Sequence, residues 1–158
     1  MSDVAFKTIQ RECELVSKLE TGGILVGYHV KGEIVIMAAT GPGPNAEHSR
    51  NSLILDLLFI RDELKRYEMQ PSIGYEGNWH SHPGEIIIRP SKTDELLLRT
   101  VVESPDYDVN RAVLIITSVP PRRIEDLHCF VFADGKRGYV ETKPYQFRIP
   151  TDALSHST

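Results

Sequence analysis

The stretch WHSHPGEIIIRPSKTD, from Trp79 to Asp94, contains the end of a strand, a loop and the start of a helix. We expect the strand to run from Ser72 to His82, where it gives way to a loop that carries three isoleucines. Pro90 cannot continue a central strand, and Ser91 is a residue type that begins helices. The positions that follow it with helical spacing are Leu96, Leu97, Thr100 and Val101. The stretch therefore predicts a strand–loop–helix unit.

The segments on either side predict an α+β fold, in which a mixed, largely antiparallel β-sheet is flanked by about three α-helices. Helical spacing predicts one helix from about Ala5 to Lys18 and another through Leu53, Leu57, Ile60 and Leu64. The other predicted strands are Ile24–Val30, Glu33–Ala39, Arg111–Val119, Leu127–Phe132 and Tyr139–Thr142. No linker or repeat divides the chain. We therefore expect a single domain over residues 1–150, followed by a flexible tail over residues 151–158.

The composition argues against nucleic acid or membrane as a partner. The formal net charge is -4 at pH 7, and no segment carries a basic stripe. No apolar run is long enough to span a bilayer. The N-terminal segment lacks the pattern of a signal peptide, so a cytoplasmic location is expected. Cys13 and Cys129 form no metal-binding or redox motif, and we expect two buried, reduced thiols.

His80 and His82 are two residues apart, so on a strand their side chains project from the same face. Two imidazole nitrogens and a carboxylate oxygen from Asp94 would give a three-ligand zinc site with a fourth position open for water. An H-x-H pair on a strand is more often surface chemistry or hydrogen bonding. Ser91 and Asp94 also form a capping-box variant at a helix start. Asp94 can serve both as a cap and as a ligand.

The two blocks together, H-S-H-P at 80–83 and S-x-x-D at 91–94, resemble the JAMM (MPN+, or JAB-domain) zinc metalloprotease motif. The family also has a glutamate just before its first core strand, and Glu20 in LETGGILVG occupies that place. Further matches are GPGPN at 41–45, HSR at 48–50 and RPSKTD at 89–94. The wider pattern is similar to small bacterial JAB deconjugases of CBASS anti-phage operons and integrative or conjugative elements. Eleven residues separate His82 from Asp94, one more than is usual in the family, and a bulged loop is expected to absorb the extra residue.

The resemblance implies one zinc ion per chain, held by His80, His82 and Asp94. It also implies that Glu20 is the general base and that Ser91 donates a hydrogen bond to the oxyanion of the transition state. We interpret Ser81 as a packing or backbone-bonding residue and Trp79 as core. The remaining histidines, His29, His48, His128 and His156, have no partner pattern.

The same resemblance implies a zinc-dependent isopeptidase or peptidase that cleaves after the C-terminus of a ubiquitin-like modifier, either in conjugates or in a precursor. The implied partners are the modifier, its conjugates, and ubiquitin-activating-like and conjugating-like proteins of the same operon. Ile86, Ile87 and Ile88 lie beside the predicted metal site. These isoleucines either contact the substrate or pack against the protein's own body or a second copy.

Three other functions remain open from the sequence. One is a JAMM peptidase that processes a sulfur-carrier protein or small peptides. The second is a non-catalytic MPN scaffold, against which the presence of all five motif residues argues. The third is a DNA-repair-associated JAB protein, against which the acidic net charge argues.

Overall fold

The computed structural model describes residues 1–105, 107, 109–118 and 120–149. This part of the chain folds into three α-helices, a six-stranded mixed sheet and a separate two-stranded hairpin. The helices are α1 (Asp3–Leu15), α2 (Leu57–Glu68) and α3 (Lys92–Glu103). The strands are β1 (Gly22–Val30), β2 (Glu33–Ala39), β3 (Glu47–His48), β4 (Leu53–Ile54), β5 (Gly74–Ser81), β6 (Arg111–Thr117), β7 (His128–Ala133) and β8 (Val140–Thr142).

The α+β prediction is confirmed, and each large predicted strand is present within a few residues of its expected bounds. The predicted tail, residues 151–158, lies outside the described residues, as do Pro150 and the predicted strand end at Val119. The single-domain boundary at residue 150 therefore stays a prediction.

The six-stranded sheet of the described chain has the order β2-β1-β5-β6-β7-β8. Its neighbours are antiparallel except for β5 and β6, which are parallel. Parallel strands need a crossover, and here the chain crosses from β5 to β6 through α3. The strand–loop–helix unit predicted from residues 79–94 is therefore this crossover, at the middle of the sheet.

Helices cover both faces of the sheet. On one face, α1 contributes Phe6, Ile9 and Cys13 to a core that contains Trp79. On the other face, α3 packs Leu98, Val101 and Val102 against Leu114, Ile116 and Phe130 of β6 and β7. Because side chains alternate along a strand, His80 points away from the Trp79 side and towards the α3 side. The predictions that Trp79 is core and that both cysteines are buried, free thiols are confirmed.

The second helix begins later than the sequence pattern predicted. Leu53 and Ile54 form β4, paired with β3, and are not helical. The helix begins after Asp56, whose side chain accepts a hydrogen bond of 3.2 Å from the backbone N–H of Phe59. An N-cap residue sets the position at which a helix begins. The helical spacing of Leu53 and Leu57 does not reveal this boundary.

Candidate metal centre

The end of β5 places the two histidines side by side. His80 lies within the sheet, paired with Gly22 of β1 and Ile116 of β6. His82 lies just beyond the strand, and its backbone N–H donates to the carbonyl of Thr117 at 2.8 Å. The two rings are stacked, with centroids 4.7 Å apart and Nε2 atoms 2.9 Å apart. The prediction that both imidazoles project together is confirmed.

The start of α3 brings Asp94 to the same place. Ser91 is the N-cap, and its side chain and that of Asp94 form a reciprocal capping box. Oδ2 of Asp94 accepts hydrogen bonds from the Ser91 N–H at 2.8 Å and the Ser91 hydroxyl at 2.7 Å. The same Oδ2 lies 3.8 Å from Nε2 of His80. Asp94 therefore caps the helix and also faces the histidines.

The donor atoms fit a divalent metal ion. One atom each from His80, His82 and Asp94 lie within 4.8 Å of one another. Two donors bound tetrahedrally to one zinc ion are separated by roughly 3.3 Å, so this spread is close to that of a bound set. Burial lowers the pKa of His80 to about 4, while Asp94 opposes the shift. The ring is therefore neutral at pH 7, the state in which imidazole binds metal.

Glu20 lies beside this group, in the loop before β1 where the sequence predicted it. Its Oε1 is 3.9 Å from Nε2 of His82, and its side chain is largely buried. Burial raises the pKa of Glu20, His82 opposes the shift, and Asp94 and Glu85 add to it. A carboxylate with a raised pKa is a stronger base, and therefore a better proton acceptor, than an ordinary glutamate.

The backbone before β1 is fixed to the histidine strand. The Thr21 N–H donates to Oγ of Ser81 at 3.0 Å, and the Ser81 N–H donates to the Thr21 carbonyl at 2.8 Å. The interpretation of Ser81 as a backbone-bonding residue is thereby confirmed. At Gly22, an added Cβ would overlap the carbonyl oxygen of Trp79 and contact His80. The segment that carries Glu20 can therefore lie directly against β5 only because position 22 has no side chain.

His48 has no partner pattern in the sequence, but in the structure its ring contacts the Glu20 segment. The Glu20 N–H donates to the carbonyl of Ser49 at 2.8 Å, and Nδ1 of His48 lies 2.7 Å from the Glu20 carbonyl. A carbonyl only accepts, so His48 carries its proton on Nδ1. Both polar backbone groups of Glu20 are thus held by the β3–β4 hairpin. His48 does lie within the HSR match at 48–50, but that match gave no role for the ring.

Glu85 is a second residue that sequence reasoning missed. His82 to Glu85 form a turn with Pro83 and Gly84 in its centre, closed by a 3.2 Å bond from the Glu85 N–H to the His82 carbonyl. Gly84 has φ +82°, as the third residue of a type II turn requires. The turn brings Oε2 of Glu85 to 3.0 Å from Nδ1 of His82. A carboxylate there keeps the proton on Nδ1 and leaves Nε2 to bind a metal. The sequence signal that could have predicted this turn is the Pro83-Gly84 pair.

The three isoleucines of the loop have different environments. Ile86 is 97% exposed and Ile87 is 72% exposed, whereas Ile88 packs against the core beneath α3. Packing against the protein's own body therefore applies to Ile88, and substrate contact by Ile86 and Ile87 stays a prediction. Ile88 is partly buried against the protein's own body, and Ile86 and Ile87 project into solvent next to Glu85.

Comparison with known families identifies the domain type. Residues 3–130 match the family described as prokaryotic homologs of the JAB domain. The chain belongs to this family. The resemblance to JAMM/MPN proteins is thereby confirmed for the domain type.

Two similar proteins are informative, one by its sequence and one by its fold. It is 35% identical over 101 residues to the probable metalloprotease y4qB of Sinorhizobium fredii, and the match covers 62% of each chain. The fold resembles the solution structure of protein DSY2949 from Desulfitobacterium hafniense, with a TM-score of 0.64, 17% identity and 99% coverage of both chains. At that identity, the second likeness shows the fold alone. No helix of the described residues combines the length and apolarity needed to cross a membrane.

Proposed function

We propose that this JAB domain is a zinc-dependent peptidase or isopeptidase of JAMM type. The observation that carries the proposal is the convergence of His80, His82 and Asp94, whose donor atoms lie within 4.8 Å of one another. Glu20 supports the proposal, because its Oε1 lies 3.9 Å from Nε2 of His82. The other three residues supply the metal ligands, so the Glu20 carboxylate can act as a base. The 35% identity to a probable metalloprotease gives further support.

In this proposal, His80, His82 and Asp94 would hold one zinc ion, which when bound would lower the pKa of water to about 7 and polarise the scissile carbonyl. Glu20 accepts the proton of the attacking water and passes it to the departing amine. Its raised pKa suits it to both transfers. Glu85 keeps His82 in the tautomer that binds metal. Ser91 supplies a hydrogen bond to the oxyanion after its hydroxyl turns away from Asp94.

The proposed substrate is the C-terminal tail of a ubiquitin-like modifier, joined to a target or to a precursor extension. Ile86 and Ile87 support this, because two exposed apolar side chains next to the metal ligands offer contact area to an extended tail. The proposed partners are the modifier, its conjugates, and activating-like and conjugating-like proteins of a bacterial anti-phage or mobile-element system. This context rests on the motif resemblance alone.

The test is an incubation of the purified protein with modifier fusions and conjugates, with and without a chelator. We expect cleavage that the chelator stops and that added zinc restores. Glu20→Gln should abolish turnover while metal content, measured by mass spectrometry, stays at one zinc per chain. Glu14→Gln, a charge-matched change on the exposed face of α1, should behave as the wild type. A wild type that binds no zinc, or a Glu20→Gln variant with full activity, would contradict the proposal.

A further inference from the structure

A cavity of about 910 Å³ lies at the far end of β5 and α3 from the metal centre. It is bounded by the end of α2, the start of β5, the end of α3 and the segment after it. Glu103 at its rim is nine residues after Asp94 along α3, which at the helical rise places it roughly 13 Å away. The cavity and the metal centre are therefore separate sites.

The lining of this cavity carries negative charge. Four carboxylate residues line it, and none of the described lining residues is a lysine or arginine. The four are Glu68, Glu76, Glu103 and Asp134. Carboxylates that share one concave surface repel one another and attract a cation.

Glu76 is the buried member of this group. Leu25 of β1 pairs with Gly77 and the next residue, Val26, pairs with Tyr75, so Glu76 is the extra residue of a β-bulge. Gly77 has φ +144°, and a Cβ there would overlap the backbone of Val113. The side chain of Glu76 is only 7% exposed. The bulge therefore places a carboxylate where a strand of regular pairing would not.

The Glu76 carboxylate lacks a charged partner among the described residues. Nε2 of His29 lies 2.6 Å from Oε2 of Glu76, but this contact does not have hydrogen-bond geometry. Oε2 therefore accepts no hydrogen bond from any described residue. Burial, and then Arg111, lowers the pKa of His29, so the ring is mainly neutral at pH 7. Burial raises the pKa of Glu76 to about 7. A buried carboxylate without a counter-charge is costly to ionise, and a bound cation would remove that cost.

Two tyrosines also line the cavity. The rings of Tyr75 and Tyr107 have centroids 6.5 Å apart and are tilted by 48°. The Tyr75 hydroxyl donates to Oδ1 of Asn78 at 2.8 Å, so its polar end has a partner. Aromatic rings attract organic cations through their negative faces. Metal binding fits less well, because His80, His82 and Asp94 are the only described residues that bring three ligand atoms close together.

We propose that this cavity binds an organic cation, namely a guanidinium or alkylammonium group. The group comes either from a small molecule or from a basic side chain of a polypeptide. The inference does not depend on peptidase activity, because it rests on Glu76, the rim carboxylates and the two tyrosines alone.

The test is calorimetric titration of the protein with N-acetyl-L-arginine amide. N-acetyl-L-citrulline amide, which has the same shape without the charge, is the matched ligand. We expect saturable binding of the arginine compound and binding at least about tenfold weaker for the citrulline compound, since hydrogen bonds to charged groups are the strong ones. Glu76→Gln and Glu103→Gln should each raise the Kd about tenfold. Glu14→Gln removes one charge from exposed α1 and should leave the Kd unchanged.

A blocked Gly-Arg-Gly peptide distinguishes the two sources of the cation. Binding about tenfold tighter than that of the single residue assigns the site to a polypeptide side chain, and equal binding assigns it to a small cation. Either result supports the proposal. If Glu76→Gln fails to fold, Glu103→Gln decides alone, because Glu103 is exposed on the rim. No saturable binding, equal binding of the neutral compound, or an unchanged Kd in the folded variants would overturn the proposal.

Discussion

The hydroxyl of Ser91 has one proton to donate, and in the structure it donates that proton to Oδ2 of Asp94, 2.7 Å away. The same oxygen belongs to the group that can hold a metal. A metal ion bound to Oδ2 would compete for that oxygen's electrons and weaken the Ser91 bond. The hydroxyl could then turn to the substrate. The observed capping role of Ser91 is thus compatible with its proposed role as an oxyanion donor.

Substitution of Ser91 separates these two roles. Ser91→Ala should lower kcat by about 10²- to 10³-fold, because one oxyanion donor is lost. It should also lower the free energy of unfolding by about 1 kcal/mol, because the N-cap is lost. Zinc content should not change. Steady-state kinetics, thermal unfolding and metal analysis measure the three quantities.

The control for this prediction is Ser91→Thr, which keeps a hydroxyl at an exposed position. It should retain most of the activity and most of the stability. If Ser91→Ala loses stability but keeps its kcat, Ser91 is a cap and not an oxyanion donor.

Part of the site could be predicted from local spacing. H-x-H on a strand and S-x-x-D at a helix start each bring two residues together by the geometry of one element. The contacts of His48 with Glu20 could not be predicted this way, because 28 residues separate the two. Their meeting depends on where the β3–β4 hairpin packs, and no periodicity reports that.

At the scale of elements, the β3–β4 hairpin acts as a support for the Glu20 segment. His48→Ala should lower kcat about 10- to 100-fold, because a small displacement of Glu20, the proposed general base, is costly to a proton transfer. KM and zinc content should be unchanged, since neither the proposed metal ligands nor the loop from Pro83 to Pro90 is altered. His48→Asn should restore most of the rate, because its amide N–H can replace the Nδ1–H donor.

Recovery of kcat in His48→Asn, together with an unchanged KM, would show that His48 acts through its hydrogen bond and not only through packing. An Asn variant as slow as the Ala variant would show that the ring's bulk is what matters. An Ala variant with normal kcat would show that the Ser49 contact alone positions Glu20.

The loop from Pro83 to Pro90 offers a test of substrate contact. Ile87→Asp should raise the KM for a modifier conjugate about tenfold and leave kcat nearly unchanged, because a charge replaces exposed apolar contact area. Leu15→Asp is the matched control, since Leu15 is 71% exposed on α1, compared with 72% for Ile87. Unchanged kinetics in Ile87→Asp would remove Ile87 from the substrate site.

The predicted elements were mostly correct because their core residues have clear periodicity. β6 shows this well: six of its seven residues are buried, as its run of apolar residues predicted. The predicted start of α2 was wrong, because Leu53 has helical spacing to Leu57 but belongs to β4. The capping side chain of Asp56 decided the boundary, and it was not recognised in the sequence.

At the scale of the molecule, the buried carboxylate in the second cavity should make stability depend on pH. Burial raises the pKa of Glu76 to about 7 in the folded state, above the value of 4.5 for an ordinary glutamate. Its favourable contribution to folding is therefore complete below the unfolded pKa and is lost as the pH rises through about 7.

Glu76→Gln isolates this contribution. Relative to the variant, the wild-type free energy of unfolding should fall by up to about 3 kcal/mol between about pH 5 and pH 8. Urea unfolding at several pH values, without added cations, measures the difference. Taking the difference between the two proteins cancels the opposite trend expected from His80. A difference that does not vary with pH would show that Glu76 has an ordinary pKa.

The close approach of Gly22 to β5 has a consequence for how this protein can change. The gap between the acid and the imidazoles is set by two hydrogen-bonded main chains, and no side chain at position 22 adjusts it. In a saturation library, even alanine at this position should be lost. Loops around the site can therefore diversify in sequence, while Glu20 and the two histidines keep the separation that the peptide units impose.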